Sequence, residues 1–257
     1  MIKYKYVFWD WNGTLIDDLT TSIDSLNVSL AKRNLPLMTR ERYFETFCFP
    51  VEEFYRKIGF NLEKESYQIL ADEFIENYNI EVKKAKLHPH AAEVIATLAL
   101  NGVKQYILSA SEKEILLRGL KKFGIETFFT DIIALDNIYA HGKIGIGKAW
   151  FEKHSFNEKA LMVGDTYHDY EVASALNLDC AMYTGGHTSL SHLCSIGVPV
   201  ISDYRELYDL VFDGELLKSI KKADKKAVKE DKAFVNAYQS FYDDQKIYSK
   251  VDYKSDW

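Results

Sequence analysis

The sequence predicts an α/β protein of three layers, a parallel sheet covered by helices on both faces, with a helical segment inserted after the first strand. Three observations carry this expectation. Short β-rich apolar runs recur along the 257 residues, helix-length amphipathic segments separate most of them, and one long interval near the N-terminus shows helical periodicity without a convincing strand.

Taken in order, the first run is Tyr6 to Trp9, aromatic and β-branched and therefore suited to a buried strand. From Asp17 to Lys86 the apolar residues cluster as Ile23, Leu26 and Leu30, then Phe54, Tyr55 and Ile58, then Tyr67, Ile69, Leu70, Phe74, Ile75 and Tyr78. That spacing predicts three or four helices. The stretch from His90 to Asn101 places Ala92, Val94, Ile95 and Leu98 on one helical face, and Lys113 to Phe123 does the same with Ile115, Leu116, Leu120 and Phe123. Further strands are expected at Tyr106 to Leu108, Ile132 to Leu135, Leu161 to Val163, Cys180 to Tyr183 and Val200 to Ile201. The organisation expected is a core of residues 1–16 and 87–212, a helical insertion of residues 17–86 and a helical tail of residues 213–257. In the tail, Lys218, Lys221, Lys222, Lys225, Lys226, Lys229 and Lys232 crowd together among Asp224, Glu230 and Asp231, which reads as a solvated helix face. Phe234, Tyr238, Phe241 and Tyr242 then follow at helical spacing, a contact surface for the core or for a partner.

Composition narrows the function classes. With 47% hydrophobic and 27% charged residues the chain is long enough to bury a substantial core. A formal net charge of -6 argues against a nucleic-acid partner, because polyanion binding depends on Lys and Arg neutralising phosphates. No run approaches the length of a membrane span, and Asp10 and Asn12 interrupt the apolar N-terminal stretch that a signal peptide would need. Cys48, Cys180 and Cys194 fall in no paired metal spacing, and with neither a signal peptide nor a membrane span evident a reducing cytoplasm is the expected setting.

Two strand ends carry the chemistry. Tyr6 to Trp9 delivers Asp10, Trp11, Asn12, Gly13, Thr14 and Leu15, a carboxylate followed by a tight turn and a hydroxyl. Leu161 to Val163 delivers Gly164, Asp165, Thr166, Tyr167, His168 and Asp169, with two carboxylates four residues apart. In a doubly wound sheet such strand ends border the ligand crevice. Crowded carboxylates repel one another, and a hard divalent cation such as Mg2+ relieves that repulsion.

The pattern Asp-x-x-Gly-Thr-Leu, followed late by Gly-Asp-x-x-x-Asp, resembles the haloacid dehalogenase superfamily of phosphatases and phosphotransferases, nearest to its phosphoglycolate phosphatase-like members. The resemblance covers about residues 1–210. It implies a Rossmann-like core roofed by a helical cap, and a Mg2+-dependent phosphohydrolase acting on a small phosphorylated metabolite. Asp10 is then the nucleophile that forms an aspartyl-phosphate, and the metal ligands are Asp10, the backbone carbonyl of Asn12 and Asp165, with Asp169 close by. The backbone from Trp11 to Thr14 would cradle phosphoryl oxygens, and Gly13 lets that turn close without a Cβ clash. Ser109 and Ala110, after the strand at Tyr106, are the expected phosphoryl contacts, with Ser109 or Ser111 as a plain helix N-cap the competing reading. For the family's lysine the candidates are Lys143 and Lys148. Lys143 is preferred because it leaves room for a helix of ordinary length before Leu161.

One residue departs from the pattern. Phosphatases of the family carry a second Asp two positions after the nucleophile, and this chain has Asn12 there. An amide neither protonates a leaving oxygen nor activates water, so an acid-base contribution of about 10²- to 10⁴-fold is reduced or lost, and Asn12→Asp is expected to raise turnover of an aryl phosphate. Two alternatives follow from the departure, a phosphate-binding scaffold or sensor without turnover and a phosphonate-cleaving relative recruiting a cap lysine such as Lys57. Arg56, Lys57 and Tyr55 are the insertion's candidates for meeting an anionic substrate. Gly185, Gly186 and His187 follow the strand at Cys180 and either line the crevice or form a plain turn.

Overall fold

A computed structural model of the protein describes residues 1–135, 142–154 and 158–229. The central sheet contains β1 (Tyr6–Trp9), β4 (Lys104–Glu112), β5 (Phe129–Leu135), β6 (Ala160–Gly164), β7 (Asp179–Tyr183) and β8 (Val200–Ile201). Its order is β5-β4-β1-β6-β7-β8, and every neighbouring pair is parallel. After β1 the chain builds one side of the sheet through β4 and β5, then crosses to build the other through β6 to β8. The reversal of direction lies at β1, so the crevice opens at the carboxyl ends of β1, β4 and β6. This is the three-layer α/β core with a helical cap inserted after the first strand that the sequence predicts.

The central strands are apolar on both faces because helices cover both. Phe8 stacks on Tyr106 with ring centroids 4.8 Å apart and meets Phe151 at 5.1 Å and Trp150 edge-on at 5.8 Å. Burying a side chain such as Phe8 contributes roughly 1.5–3 kcal/mol. Trp9 points to the opposite face, where its indole N–H donates to the buried Gln105 Oε1 at 3.0 Å, and Gln105 Nε2 donates to the carbonyl of Ile95 in α5 (Ala91–Leu100) at 2.8 Å. Buried polar groups on that face are thus satisfied. Helices α6 (Lys113–Phe123), α7 (Gly142–Lys153), α8 (Tyr167–Ala175) and α9 (Leu190–Ser195) complete the layers.

The inserted segment holds α1 (Leu19–Lys32), α2 (Arg40–Thr46), α3 (Val51–Ile58) and α4 (Tyr67–Glu81), packed around a core that includes Leu26, Leu30, Tyr43, Phe54, Tyr55, Ile58 and Leu70. Asn27 fastens α1 to the α1–α2 connection by exchanging two hydrogen bonds with the Met38 backbone at 2.6 and 3.0 Å. A short antiparallel ribbon, β2 (Ile16–Asp17) on β3 (Lys86–Leu87), joins the two ends of the segment. At two residues each, these strands are too short for sequence periodicity to show.

The contacts divide the chain into Tyr4–Leu207 and a second unit of Met1–Lys3 with Tyr208 onward. In the second, Ile2 pairs antiparallel with Phe212, the N-terminal amine meets the Asp213 carboxylate, and Lys221 in α11 (Gly214–Lys229) bridges to Asp209 of α10 (Leu207–Val211) at 2.6 Å. The tail's lysines up to Lys229 fall on α11, with Lys222, Lys225 and Lys226 exposed, while Glu230, Asp231 and Lys232 lie outside the described residues. The aromatic positions Phe234, Tyr238, Phe241 and Tyr242 lie outside the described residues.

Candidate active site

Asp10 follows β1 directly, and its N–H still donates to the Val163 carbonyl of β6 at 2.9 Å, so the strand ladder fixes where the carboxylate stands. Asp165 follows β6, and Asp169 stands one turn later at the third position of α8. There Asp169 Oδ2 accepts from the N–H groups of Asp165 and Thr166 at 3.1 and 2.9 Å and from the Thr166 hydroxyl at 2.9 Å. This is capping-box geometry, and it leaves the other oxygen of Asp169 directed at the site. Ligand oxygens of Asp10, Asp165 and Asp169 lie within 4.8 Å of one another, and all three side chains are buried.

Lys143, at the start of α7, places Nζ 2.5 Å from Asp10 Oδ1 and also binds Asp169 Oδ1. It is only 4% exposed, whereas Lys148, one turn further along the helix, faces solvent. Ser109 is likewise buried, inside β4, and its Oγ accepts from the Ser111 N–H at 3.1 Å. The strand runs on to Glu112, which is the residue that caps α6, so neither Ser109 nor Ser111 is the N-cap. Ala110 is exposed. The Trp11 side chain turns into the core against Phe123 and Gly119, leaving only its backbone to the turn.

Charge is the first physical problem of this arrangement. Among the described residues, three buried carboxylates face one ammonium. Burial pushes Asp10 well above the ordinary carboxylate range against the pull of Lys143, with repulsion from Asp169 and Asp165 adding to it. Burial likewise pushes Asp165 up to about 6, with Asp169 adding repulsion and His187 opposing it. For Asp169 the Lys143 ammonium and the hydrogen bonds from Thr166 outweigh burial and hold the carboxyl below its usual value, while the two carboxylates keep Lys143 firmly protonated. The remaining excess of negative charge, carried by hard oxygen donors, fits a divalent cation beside Asp10 and Asp165, with Asp169 close by.

A second constellation surrounds the turn after Asp10, and most of its members carry no signal in the sequence. Gly13 adopts φ +70° and its N–H donates to Asp18 Oδ1 at 2.7 Å, so this amide of the expected cradle is directed at a carboxylate. Asn12 Nδ2 donates to Asp18 Oδ2 and to the Tyr78 hydroxyl, both at 2.7 Å, and Asn12 Oδ1 accepts from Ser111 Oγ. Tyr78 in turn donates to Asp18 Oδ2 at 2.6 Å. His187 Nε2 lies 3.1 Å from Asp18 Oδ1, and its Nδ1 lies 2.9 Å from the Tyr43 hydroxyl. Burial alone would push His187 down, but the Asp18 carboxylate, helped by Asp165 and Asp10, carries it up to about 9, so the imidazolium donates from both nitrogens. Asp18 is held below its usual range because His187, Tyr78 and Asn12 outweigh its burial.

The backbone of this region admits no Cβ. One added to Gly186 would stand 2.1 Å from Asp165 Oδ2, and one on Gly13 would stand 2.3 Å from the His187 ring. With Gly186 in place, the His187 N–H reaches Asp165 Oδ2 at 2.7 Å while Thr14 Oγ1 donates to Asp165 Oδ1 at 2.7 Å. His88 supports the turn from behind, donating from Nε2 to the Gly13 carbonyl at 3.0 Å. His90 turns away to Glu93 at 3.0 Å.

The insertion closes over this ground through Tyr43 of α2, Tyr78 of α4 and Phe47 just after α2, the last with its ring 5.9 Å from His187, while Phe49 lies 4.8 Å from His168. The insertion residues expected to meet substrate are placed elsewhere. Tyr55 is buried in the insertion's own core, Arg56 pairs with Glu52 at 2.6 Å, and the exposed Lys57 donates to Cys48 Sγ at 3.1 Å.

The family model of haloacid dehalogenase-like hydrolases matches residues 7–183. Among curated relatives, pyrophosphatase PpaX of Listeria monocytogenes is 29% identical over 179 residues, covering 66% of this chain and 78% of its own. Among solved structures, a haloacid dehalogenase-like hydrolase from Streptococcus pneumoniae superposes with a TM-score of 0.69 at 17% identity, over 81% of this chain and 98% of that one. A predicted phosphoglycolate phosphatase from Haemophilus somnus gives 0.64 at 17% identity, over 82% and 99%. With the family's model spanning both strand ends that build the acidic site, the chain belongs to the haloacid dehalogenase-like hydrolases.

Proposed function

We propose that the protein is a Mg2+-dependent phosphohydrolase that takes a phosphoryl group onto Asp10 from a small phosphorylated metabolite. The observation that carries this reading is the convergence of Asp10, Asp165 and Asp169 on one buried site with Lys143 between two of them. Asp10, the Asn12 carbonyl and Asp165 would hold the ion, with Asp169 steadying Lys143 and the α8 terminus. When bound, Mg2+ offsets the repulsion between a carboxylate and a phosphate dianion.

The chain's own residues do the rest. Asp10 attacks phosphorus and the leaving oxygen departs, forming an aspartyl-phosphate that water then cleaves. Lys143 and Ser109 are suited to hold phosphoryl oxygens, and Thr14 holds Asp165 in orientation. Asp10 is only 6% exposed, so for substrate to reach it residues 17–86 would act as a cap, parting the contacts of Tyr43 and Phe47 with His187, of Tyr78 with Asn12 and of Phe49 with His168. The relatives are named for pyrophosphate and phosphoglycolate, and both names agree with a small, strongly anionic substrate. Among the described residues no helix is long and apolar enough to cross a membrane.

The test is a screen of phosphorylated metabolites, pyrophosphate included, with Mg2+ and with EDTA, alongside Asp10→Asn. Turnover that requires both the metal and Asp10 supports the reading. A second reading, a phosphate sensor without turnover, is favoured by Asn12, and it is the reading left standing if Mg2+-dependent phosphate binding occurs with no release from any substrate.

A further inference from the structure

Asn12 and Asp18 face each other across a 2.7 Å hydrogen bond, an amide against a carboxylate, with Tyr78 bonded to both. Each partner is saturated. Both Nδ2 hydrogens of Asn12 have acceptors and its Oδ1 accepts from Ser111, while Asp18 accepts from Gly13, His187, Tyr78 and Asn12. Asp18 is 1% exposed. Water is therefore not at hand to separate two charges at this spot, and the pair has room for one carboxylate and one amide.

Which of the two positions carries the charge matters to the site. A carboxylate at position 12 would stand two residues from Asp10, in a pocket where three carboxylates already face a single lysine among the described residues. At position 18 the same charge is matched by the imidazolium of His187 at 3.1 Å. It also grips the turn, through the Gly13 amide and the Asn12 side chain.

We propose that Asp18 is a positioning residue for the reaction, holding in place of position 12 the one negative charge the pair admits and fixing the Asn12 amide with its donors turned from the leaving oxygen. This rests on the phosphohydrolase reading for its catalytic consequence but not for its structural one. Position 12 then supplies no proton and no base, and the aspartyl-phosphate on Asp10 is long-lived. It also follows that Asn12→Asp alone does not improve the enzyme, because the new carboxylate meets Asp18 at hydrogen-bond distance. The charge has to move, and Asn12→Asp with Asp18→Asn moves it across the same bond with no change in the number of heavy atoms. An amide at position 18 still offers one oxygen to Gly13 and His187, and its N–H donates to the carboxylate introduced at position 12.

The experiment compares wild type, Asn12→Asp, Asp18→Asn and the double variant in two measurements. Thermal unfolding of metal-free protein is expected to show Asn12→Asp lowered by on the order of 5 °C or more, with the double variant recovering most of that loss. The decay of phosphorylated Asp10, followed by intact mass after a pulse of acetyl phosphate with Mg2+, is expected to be at least about tenfold faster in the double variant than in wild type. Additive losses of stability in the double variant, or a stable Asn12→Asp that turns over as fast as the double variant, overturn the proposal. If no variant acquires phosphate at position 10, the phosphohydrolase reading fails, and the melting temperatures alone still decide the pair.

Discussion

Raising the pH should weaken the protein through one buried ion pair, His187 on Asp18. His187 is 7% exposed, Asp18 stands 3.1 Å from its Nε2, and the imidazole is carried from its ordinary 6.5 up to about 9. A rise of that size corresponds to roughly 3 kcal/mol of preference for the protonated ring in the folded protein. Because the folded value exceeds the unfolded one, the native state holds the extra proton between the two. The contribution is fully present below pH 6.5 and is lost as the pH climbs through 9. For a chain of this size the loss is worth roughly 6–12 °C in melting temperature. The assay is denaturant unfolding of metal-free protein from pH 6 to pH 10, for wild type and for His187→Gln. Lysines, tyrosines and cysteines titrate in both and cancel in the difference. The difference in stability should therefore be largest at about pH 6 and shrink toward zero above pH 9. Parallel curves across that range would show that the ring is neutral in the folded protein and refute the assignment.

Other outcomes follow from the same contacts. Lys143→Met removes the ammonium between Asp10 and Asp169 and should lower metal-free stability by about 3–5 kcal/mol, part of it restored by Mg2+; calorimetry with and without the ion checks this. Tyr78→Phe deletes a hydroxyl that bonds both Asp18 and Asn12 and should cost about 1–3 kcal/mol by denaturant unfolding. Gly186→Ala would drive a methyl to 2.1 Å from Asp165 Oδ2, so it should displace that carboxylate and weaken Mg2+ binding measured by titration calorimetry more than it affects folding at low pH.

The parts of this molecule that sequence makes visible are those written in consecutive residues. Phe8, Met162 and Met182 sit in apolar runs whose neighbours alone mark them as strands, and Asp10 and Asp165 could be placed because each terminates such a run. Lys143 could be ranked above Lys148 from the length of helix each would leave. The constellation around Asp18 has no such local signature. Its bonds to Tyr78 and His187 span 60 and 169 residues, and the His187 bond to Tyr43 spans 144. Nothing in the periodicity of α2 or α4 distinguishes a tyrosine that reaches the site from one, like Tyr55, that fills the insertion's core. Gly186 and Gly13 gave the one available hint, since two turns after two strands of the sheet both require a missing Cβ. The expectation that Asn12→Asp raises turnover treated position 12 in isolation, and the carboxylate at hydrogen-bond distance changes that arithmetic.

The claim on which the functional account stands is that Asp10 becomes covalently phosphorylated. Trapping with borohydride reads it directly, because reduction of an acyl phosphate at this position converts the aspartate to homoserine. Protein incubated with Mg2+ and an accepted phosphate ester, then reduced and digested, should yield the peptide around Trp9 and Trp11 with homoserine at position 10, and none when Mg2+ is withheld. Steady hydrolysis with position 10 unmodified, and retained by Asp10→Asn, would contradict the account.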